Sequence, residues 1–246
     1  MSELKAFIIH LARSTQRRPQ VERLRAALPC PSEILDATDG ARLTAGELER
    51  AYVRHARRPR YPFGLNRAEI GVFLSHRAAW RRILAEGLDY ALVFEDDAEI
   101  DAAAFARTCA LARETQKLWT YALAPSDKTR IRGEVLAQGE GLALIRPENP
   151  PLRAIAQFVT AEAARKLLAV TEPFDRPIDT FLQMSWVTGV ELLALTPSGV
   201  RDASAALGGS TIQARSKPLA HKLAREIGRP FYRAQVRLWH AFAKRP

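Results

Sequence analysis

Glu95, Asp96 and Asp97 stand in a row at the end of an apolar run, Tyr90-Ala-Leu-Val-Phe94. Three adjacent carboxylates repel one another and so ask for a cation. Hard oxygen donors of this kind suit Mg2+ or Mn2+, and the usual partner of such an ion is a diphosphate. A short apolar run bounded by polar residues predicts a buried strand, central in a parallel sheet. In open α/β sheets ligands bind beyond the carboxyl ends of the strands, where this triplet would lie. The plain alternative is a solvated acidic loop that follows a strand.

The elements that must position the triplet follow from periodicity. Phe7-Ile-Ile-His10-Leu11 predicts a first strand, then a helix with Pro19 in its first turn and Val21, Leu24 and Leu28 on one face. Ser32 to Leu35 is a second strand running into the turn Ala37-Thr38-Asp39-Gly40. Thr44-Ala-Gly-Glu47 is a capping box that opens a short helix reaching about His55. Asn66 with Glu69 starts another, whose apolar face is Ile70, Phe73, Leu74, Ile83 and Leu84. After the acidic strand come a helix over 102–116, strands over 119–123, 142–145 and 155–159, a helix over 161–170 and one more over 177–186. Alternating strands and helices predict an α/β fold with a mostly parallel sheet.

The chain has 246 residues, 47% hydrophobic and 26% charged, enough for one large or two small domains with a substantial core. Cys30 and Cys109 share no metal-ligand or redox spacing, which points to a reducing compartment. The apolar run near the N-terminus, Ala6 to Ile9, is too short for a signal peptide, and no run reaches the length of a membrane span. A cytoplasmic protein is the expectation. The net charge of +10 is uneven: from Gln213 onward there are nine Lys or Arg against the single acid Glu226. This divides the chain into a domain over 1–213 and a basic tail over 214–246. In the tail Leu219, Leu223, Ile227, Phe231, Leu238, Trp239 and Phe242 interleave with the basic residues at roughly helical spacing, interrupted by Pro230. Such a segment suits the anionic inner face of a membrane. It equally suits a helix packed on the domain with its basic side in water. No nucleic-acid motif accompanies it.

Several short motifs form an ordered series: Ile9-His-Leu-Ala-Arg13-Ser-Thr-Gln-Arg17-Arg18, Asp36-Ala-Thr-Asp39-Gly40, Glu69-Ile-Gly71-Val-Phe-Leu-Ser75-His76-Arg-Ala-Ala-Trp80 and Phe94-Glu95-Asp96-Asp97. Phe158-Val-Thr, Ala163-Ala, Lys166-Leu-Leu, Pro177-Ile-Asp179-Thr-Phe-Leu and Ser210-Thr-Ile212 continue the series. Over roughly residues 5–213 the chain resembles glycosyltransferase family 25, which includes lipooligosaccharide and collagen galactosyltransferases. The resemblance implies a single GT-A type domain with a Rossmann-like sheet, an inverting mechanism and a divalent metal. It also implies a UDP-sugar donor, usually UDP-galactose, with an oligosaccharide or lipid-linked acceptor of the lipopolysaccharide type. Where the family usually has Asn-Leu-Asp, this chain has His10-Leu-Ala12.

On that reading a metal would neutralise charge on the leaving diphosphate. Alternation puts Glu95 and Asp97 on one face as its ligands if the strand continues that far, with Asp97 the surer of the two. Asp96 ligates too, or holds a ribose hydroxyl. Arg13, Arg17 and Arg18 follow the first strand, where guanidinium forks match phosphate, or they are a solvated helix start. Arg13 lies nearest the strand end. Asp39 contacts the donor or simply shapes its turn with Gly40. Ser75 and His76 lie mid-helix, with Gly71 and Ser75 sharing a face that admits a ligand or a neighbouring strand; they are assigned to donor binding. Asp179 is the candidate base for the acceptor hydroxyl, ahead of Asp175, unless it caps its helix. The competing function is a degenerate, non-catalytic sugar-nucleotide-binding domain. A two-component receiver would need further acids after the first strand, and a nucleotide triphosphatase would need a Gly-rich phosphate loop; neither is present.

Overall fold

Strands and helices alternate because short apolar runs alternate with capped amphipathic segments. The computed structural model describes residues 4–207 and 219–243. Its elements begin β1 (Lys5–His10), α1 (Arg18–Ala27), β2 (Ser32–Asp36), α2 (Ala45–Ala51), α3 (Arg67–Ala85), β3 (Tyr90–Glu95), β4 (Ala98–Ile100), α4 (Ala102–Glu114) and β5 (Tyr121–Leu123). They continue β6 (Gly133–Gly139), β7 (Leu142–Pro147), β8 (Ala156–Thr160), α5 (Ala161–Val170), α6 (Ile178–Leu182), α7 (Ser185–Thr188), β9 (Leu192–Thr196), β10 (Val200–Asp202) and α8 (Leu219–Ala243).

Among the described residues eight strands make one sheet in the order β2-β1-β3-β8-β5-β9-β7-β6, and β10 pairs with β4. Six of the eight point the same way, while β7 and β8 run against them. Four of the seven neighbouring pairs are therefore antiparallel, and the sheet is mixed in its pairing. Strand β8, lying between β3 and β5, makes two of these pairs, and β7, lying between β9 and β6, makes the other two. Every residue of β8 is buried, so its sequence carries no alternation from which a direction could be read.

Both faces of β3 are covered, which is why it reads as a continuous apolar run. Leu92 and Phe94 join α1 and α4 in one core layer, through Leu24 and Phe105. Ala91 and Val93 join α3, α5 and α6 in the other, through Phe73, Trp80, Leu167 and Phe181. Phe73 stacks on Phe174 with centroids 3.8 Å apart and meets Phe181 edge-on at 5.5 Å, fixing α6 against α3.

Capping boxes open α2 and α3 at Thr44/Glu47 and Asn66/Glu69, as the sequence predicts. Helix α2 stops at Ala51, short of His55, because the Phe174 carbonyl takes the N–H of Val53 at 3.0 Å. The helix expected over 177–186 breaks into α6 and α7, and β4, β6, β9 and β10 are strands that the sequence pattern does not announce. Helix α8 lies on the body through Tyr232, Val236 and His240, all buried and four residues apart. Pro230 within it lacks a backbone N–H. The Ser210-Thr-Ile212 match and the boundary at 213/214 lie outside the described residues. Among the described residues no helix is long and apolar enough to cross a membrane.

Candidate active site

The acidic triplet begins on the last residue of β3 and is divided by the turn that follows. Glu95 and Asp97 line a cavity of about 420 Å³. Asp96 turns the other way, where its Oδ1 accepts from Arg17 Nη1 at 2.5 Å and its Oδ2 lies 3.0 Å from His10 Nδ1. Arg17 and His10 are both buried, and Arg17 also stands 3.7 Å from Asp97 Oδ2. Arg17 thus meets carboxylates of its own chain, and Asp96 is an anchor that turns its two neighbours toward the cavity.

Asp97 Oδ1 is buried and, among the described residues, has no hydrogen-bond partner. Burial, followed by the charge of Glu95, pushes the Asp97 carboxyl up to about 7, with Arg17 pulling the other way. An orphaned carboxylate oxygen beside a second carboxylate on one cavity wall fits a divalent cation. Among the described residues no group of three or more His, Cys, Asp or Glu is arranged around a metal position. The chain can therefore offer Glu95 and Asp97. Mg2+ and Mn2+ sites of that kind complete their shells with phosphate oxygens and water.

A buried polar chain holds Glu95. His76 is fully buried on α3, with Nε2 3.1 Å from Glu95 Oε1 and Nδ1 3.3 Å from Gln157 Nε2. The same Gln157 amide nitrogen donates to the Ala154 carbonyl, while its oxygen accepts from the Tyr121 hydroxyl. With the amide orientation set in this way, His76 Nδ1 accepts and Nε2–H donates to Glu95. His76 thus faces the carboxylate behind the cavity and does not line it.

Ser75 donates to the Gly71 carbonyl at 2.7 Å and accepts from the Thr38 N–H at 2.8 Å. The space above Gly71 belongs to the loop after β2: a Cβ there would lie 2.5 Å from the Thr38 carbonyl oxygen and 2.8 Å from the Gly40 nitrogen. Asp39 in that loop accepts from Arg13 Nε at 2.7 Å and Nη2 at 3.2 Å, which holds its carboxyl below the usual range. Arg13 and Asp39 sit together near the ends of β1 and β2, with Arg13 largely exposed, and neither lines the cavity.

Of the sequence-derived candidates, the cavity brings together Glu95, Asp97 and Asp179. Asp179 lies in the first turn of α6. Its Oδ1 accepts from the Thr180 N–H at 2.7 Å and hydroxyl at 3.1 Å, and its Oδ2 from the Arg153 N–H at 3.2 Å. Burial, with a smaller push from Glu95, raises its pKa. Asp175 is fully buried in a bidentate pair with Arg176 and belongs to the frame. The cavity also holds residues the motifs did not name: Arg153 and Asp202, which pair with each other, Tyr61 and Phe63, and Tyr232 and Arg233 of α8. Arg153 has φ 71°, a costly conformation for a residue with a side chain. The four-residue spacing of Tyr232, Val236 and His240 was the available signal that α8 has a packed face.

A mixed α/β sheet that opens at the carboxyl end of an internal strand onto a carboxylate-lined cleft defines a class, the α/β proteins that keep their ligand site at the strand ends. The particular family comes from comparison. The model described as "Glycosyltransferase family 25 (LPS biosynthesis protein)" matches residues 3–182, and the chain belongs to that family. A rat relative named "Probable inactive glycosyltransferase 25 family member 3" is 30% identical over 185 residues, covering 72% of this chain and 32% of its own length. Mouse "Procollagen galactosyltransferase 2" is 25% identical over 198 residues, covering 73% and 30%. The chain spans about a third of the length of these relatives. Among solved structures, mannose-1-phosphate geranyltransferase from Thermus thermophilus has a TM-score of 0.40 at 12% identity, covering 79% of this chain and 73% of that one.

Proposed function

We propose that this chain is an active, metal-dependent, inverting glycosyltransferase that moves a sugar, galactose by family resemblance, from a UDP-sugar to an oligosaccharide or lipid-linked acceptor. The observation that carries the reading is the orphaned Asp97 oxygen beside Glu95 on a cavity that Asp179 also lines. A divalent ion held by Glu95 and Asp97 would offset charge on the departing diphosphate. His76 fixes the Glu95 carboxylate through its Nε2–H, and Arg17 with His10 keeps Asp96 out of the cleft.

Asp179 receives the acceptor hydroxyl proton. Oδ2, with one long hydrogen bond from Arg153, is the oxygen better able to take it. As the proton moves, the acceptor oxygen bonds to the anomeric carbon from the face opposite the diphosphate, and the bond to the diphosphate breaks. A raised carboxyl pKa brings the base closer to working pH and makes it more effective.

The degenerate alternative is favoured by the relatives named inactive. It predicts donor binding without turnover. UDP release from UDP-galactose with Mn2+, in the presence and absence of saccharide acceptors, separates the two. Asp179→Asn should cut turnover by about 100-fold or more while leaving donor affinity within a few-fold. No turnover by the wild type under any acceptor would return the chain to the binding class.

The exposed side of α8 suits an anionic lipid surface, which would place the cleft beside a lipid-linked acceptor. Phe231, Leu238 and Phe242 are exposed at helical spacing in a segment dense in Lys and Arg.

A further inference from the structure

We infer that Arg233 is a phosphate-binding residue of the cleft, presented to the donor diphosphate by a buried latch between Arg176 and Tyr232. The inference rests on the transferase reading above and extends the site to α8, which the sequence pattern had set apart as a tail.

The latch is tight. Arg176 is fully buried, and its Nη1 donates to the Tyr232 hydroxyl at 2.6 Å. Its Nε and Nη2 donate to Asp175 at 2.6 and 2.9 Å, and Nη2 also reaches the carbonyls of Arg57 and Pro59 at 3.2 and 3.0 Å. One guanidinium therefore ties α8 to the loop before α3 and to the segment that leads into Asp179. Tyr232 lies edge-on to Tyr61 at 5.2 Å, and a Cβ on Gly228 would meet the Phe63 ring at 3.1 Å. Val236 and His240 are buried on the following turns. With its register fixed over several turns, α8 cannot rotate without breaking these contacts.

Arg233 follows Tyr232 and lines the cleft with Glu95, Asp97 and Asp179. Among the described residues, the cationic ones lining that cavity are Arg153 and Arg233. Arg153 is held by Asp202, whereas no carboxylate among the described residues pairs with Arg233. A diphosphate brought into a cleft lined by acids needs positive charge beyond that of one metal ion. A guanidinium supplies it with a fork that matches phosphate oxygens.

The test is calorimetry of UDP, with Mn2+ present, and of uridine, on the wild type, Arg233→Ala, Arg233→Lys and Tyr232→Phe. Arg233→Ala should weaken UDP at least tenfold with uridine unchanged, and Arg233→Lys should restore part of the loss. Tyr232→Phe removes one hydroxyl and should weaken UDP several-fold while its melting transition shows a folded protein. Unchanged UDP affinity in Arg233→Ala overturns the inference, as does an equal loss for uridine, which would mark a packing role. A wild type that binds no UDP overturns the donor reading itself and the inference with it.

Discussion

Asp97 is costly where it stands, since burial and Glu95 both oppose its charge. Between its ordinary value of 3.8 and about 7, the folded protein keeps a proton that the unfolded chain has released. Stability without metal should therefore fall as pH rises across that window. Asp97→Asn should flatten this slope and raise the melting temperature at pH 8, measured by calorimetry in chelator; a lower melting temperature would contradict the burial argument. His76→Ala should weaken Mn2+ binding by about 10–100-fold by releasing Glu95, read by direct titration of the metal. At this scale alternation along a continuing strand would put Glu95 and Asp97 on one face, but β3 ends at Glu95 and it is the turn after it that brings both to the cavity. The partners of Asp96 were not legible, since Arg17 and His10 stand 79 and 86 residues away. Nothing local in the sequence joins Arg13 to Asp39, whose closure on each other depends on how β1 and β2 pair.

The helices carry the site through a few apolar joints. Phe73 joins α3 to α6 through Phe174 and Phe181, and so sets where Asp179 stands. Phe73→Ala should cost about 3–5 kcal/mol by denaturant titration. An effect below about 1 kcal/mol would mean that α6 is held by something else. Helix starts were legible because capping boxes are written in four consecutive residues, as at Thr44 and Asn66. Strand direction was not. A wholly buried run such as β8 has the same composition whichever way it runs, and only its place between β3 and β5 decides. The helix expected over 177–186 stops at Leu182, where the Met184 N–H turns back to the Phe181 carbonyl at 3.0 Å.

Across the whole molecule, α8 divides its surface between two tasks. Tyr232, Val236 and His240 face the body, and Phe231, Leu238 and Phe242 face outward. The basic amphipathic pattern was legible, but which stripe the body would cover depended on Arg176 and Tyr61, far away in the chain. Replacing Phe231, Leu238 and Phe242 with Ser should release the protein from anionic vesicles and leave its melting temperature unchanged. Retained binding, or no binding by the wild type, would remove the lipid reading, and a change in oligomeric state would point to a second copy of the chain instead. Whether Glu95 and Asp97 bring a metal to a sugar-nucleotide diphosphate is read from calorimetric binding of UDP-galactose, with Mn2+ and with chelator, to the wild type and to Asp97→Ala. Binding should require Mn2+ and be lost in Asp97→Ala while the variant stays folded. Binding of equal strength in chelator, or in Asp97→Ala, would remove the metal from the site.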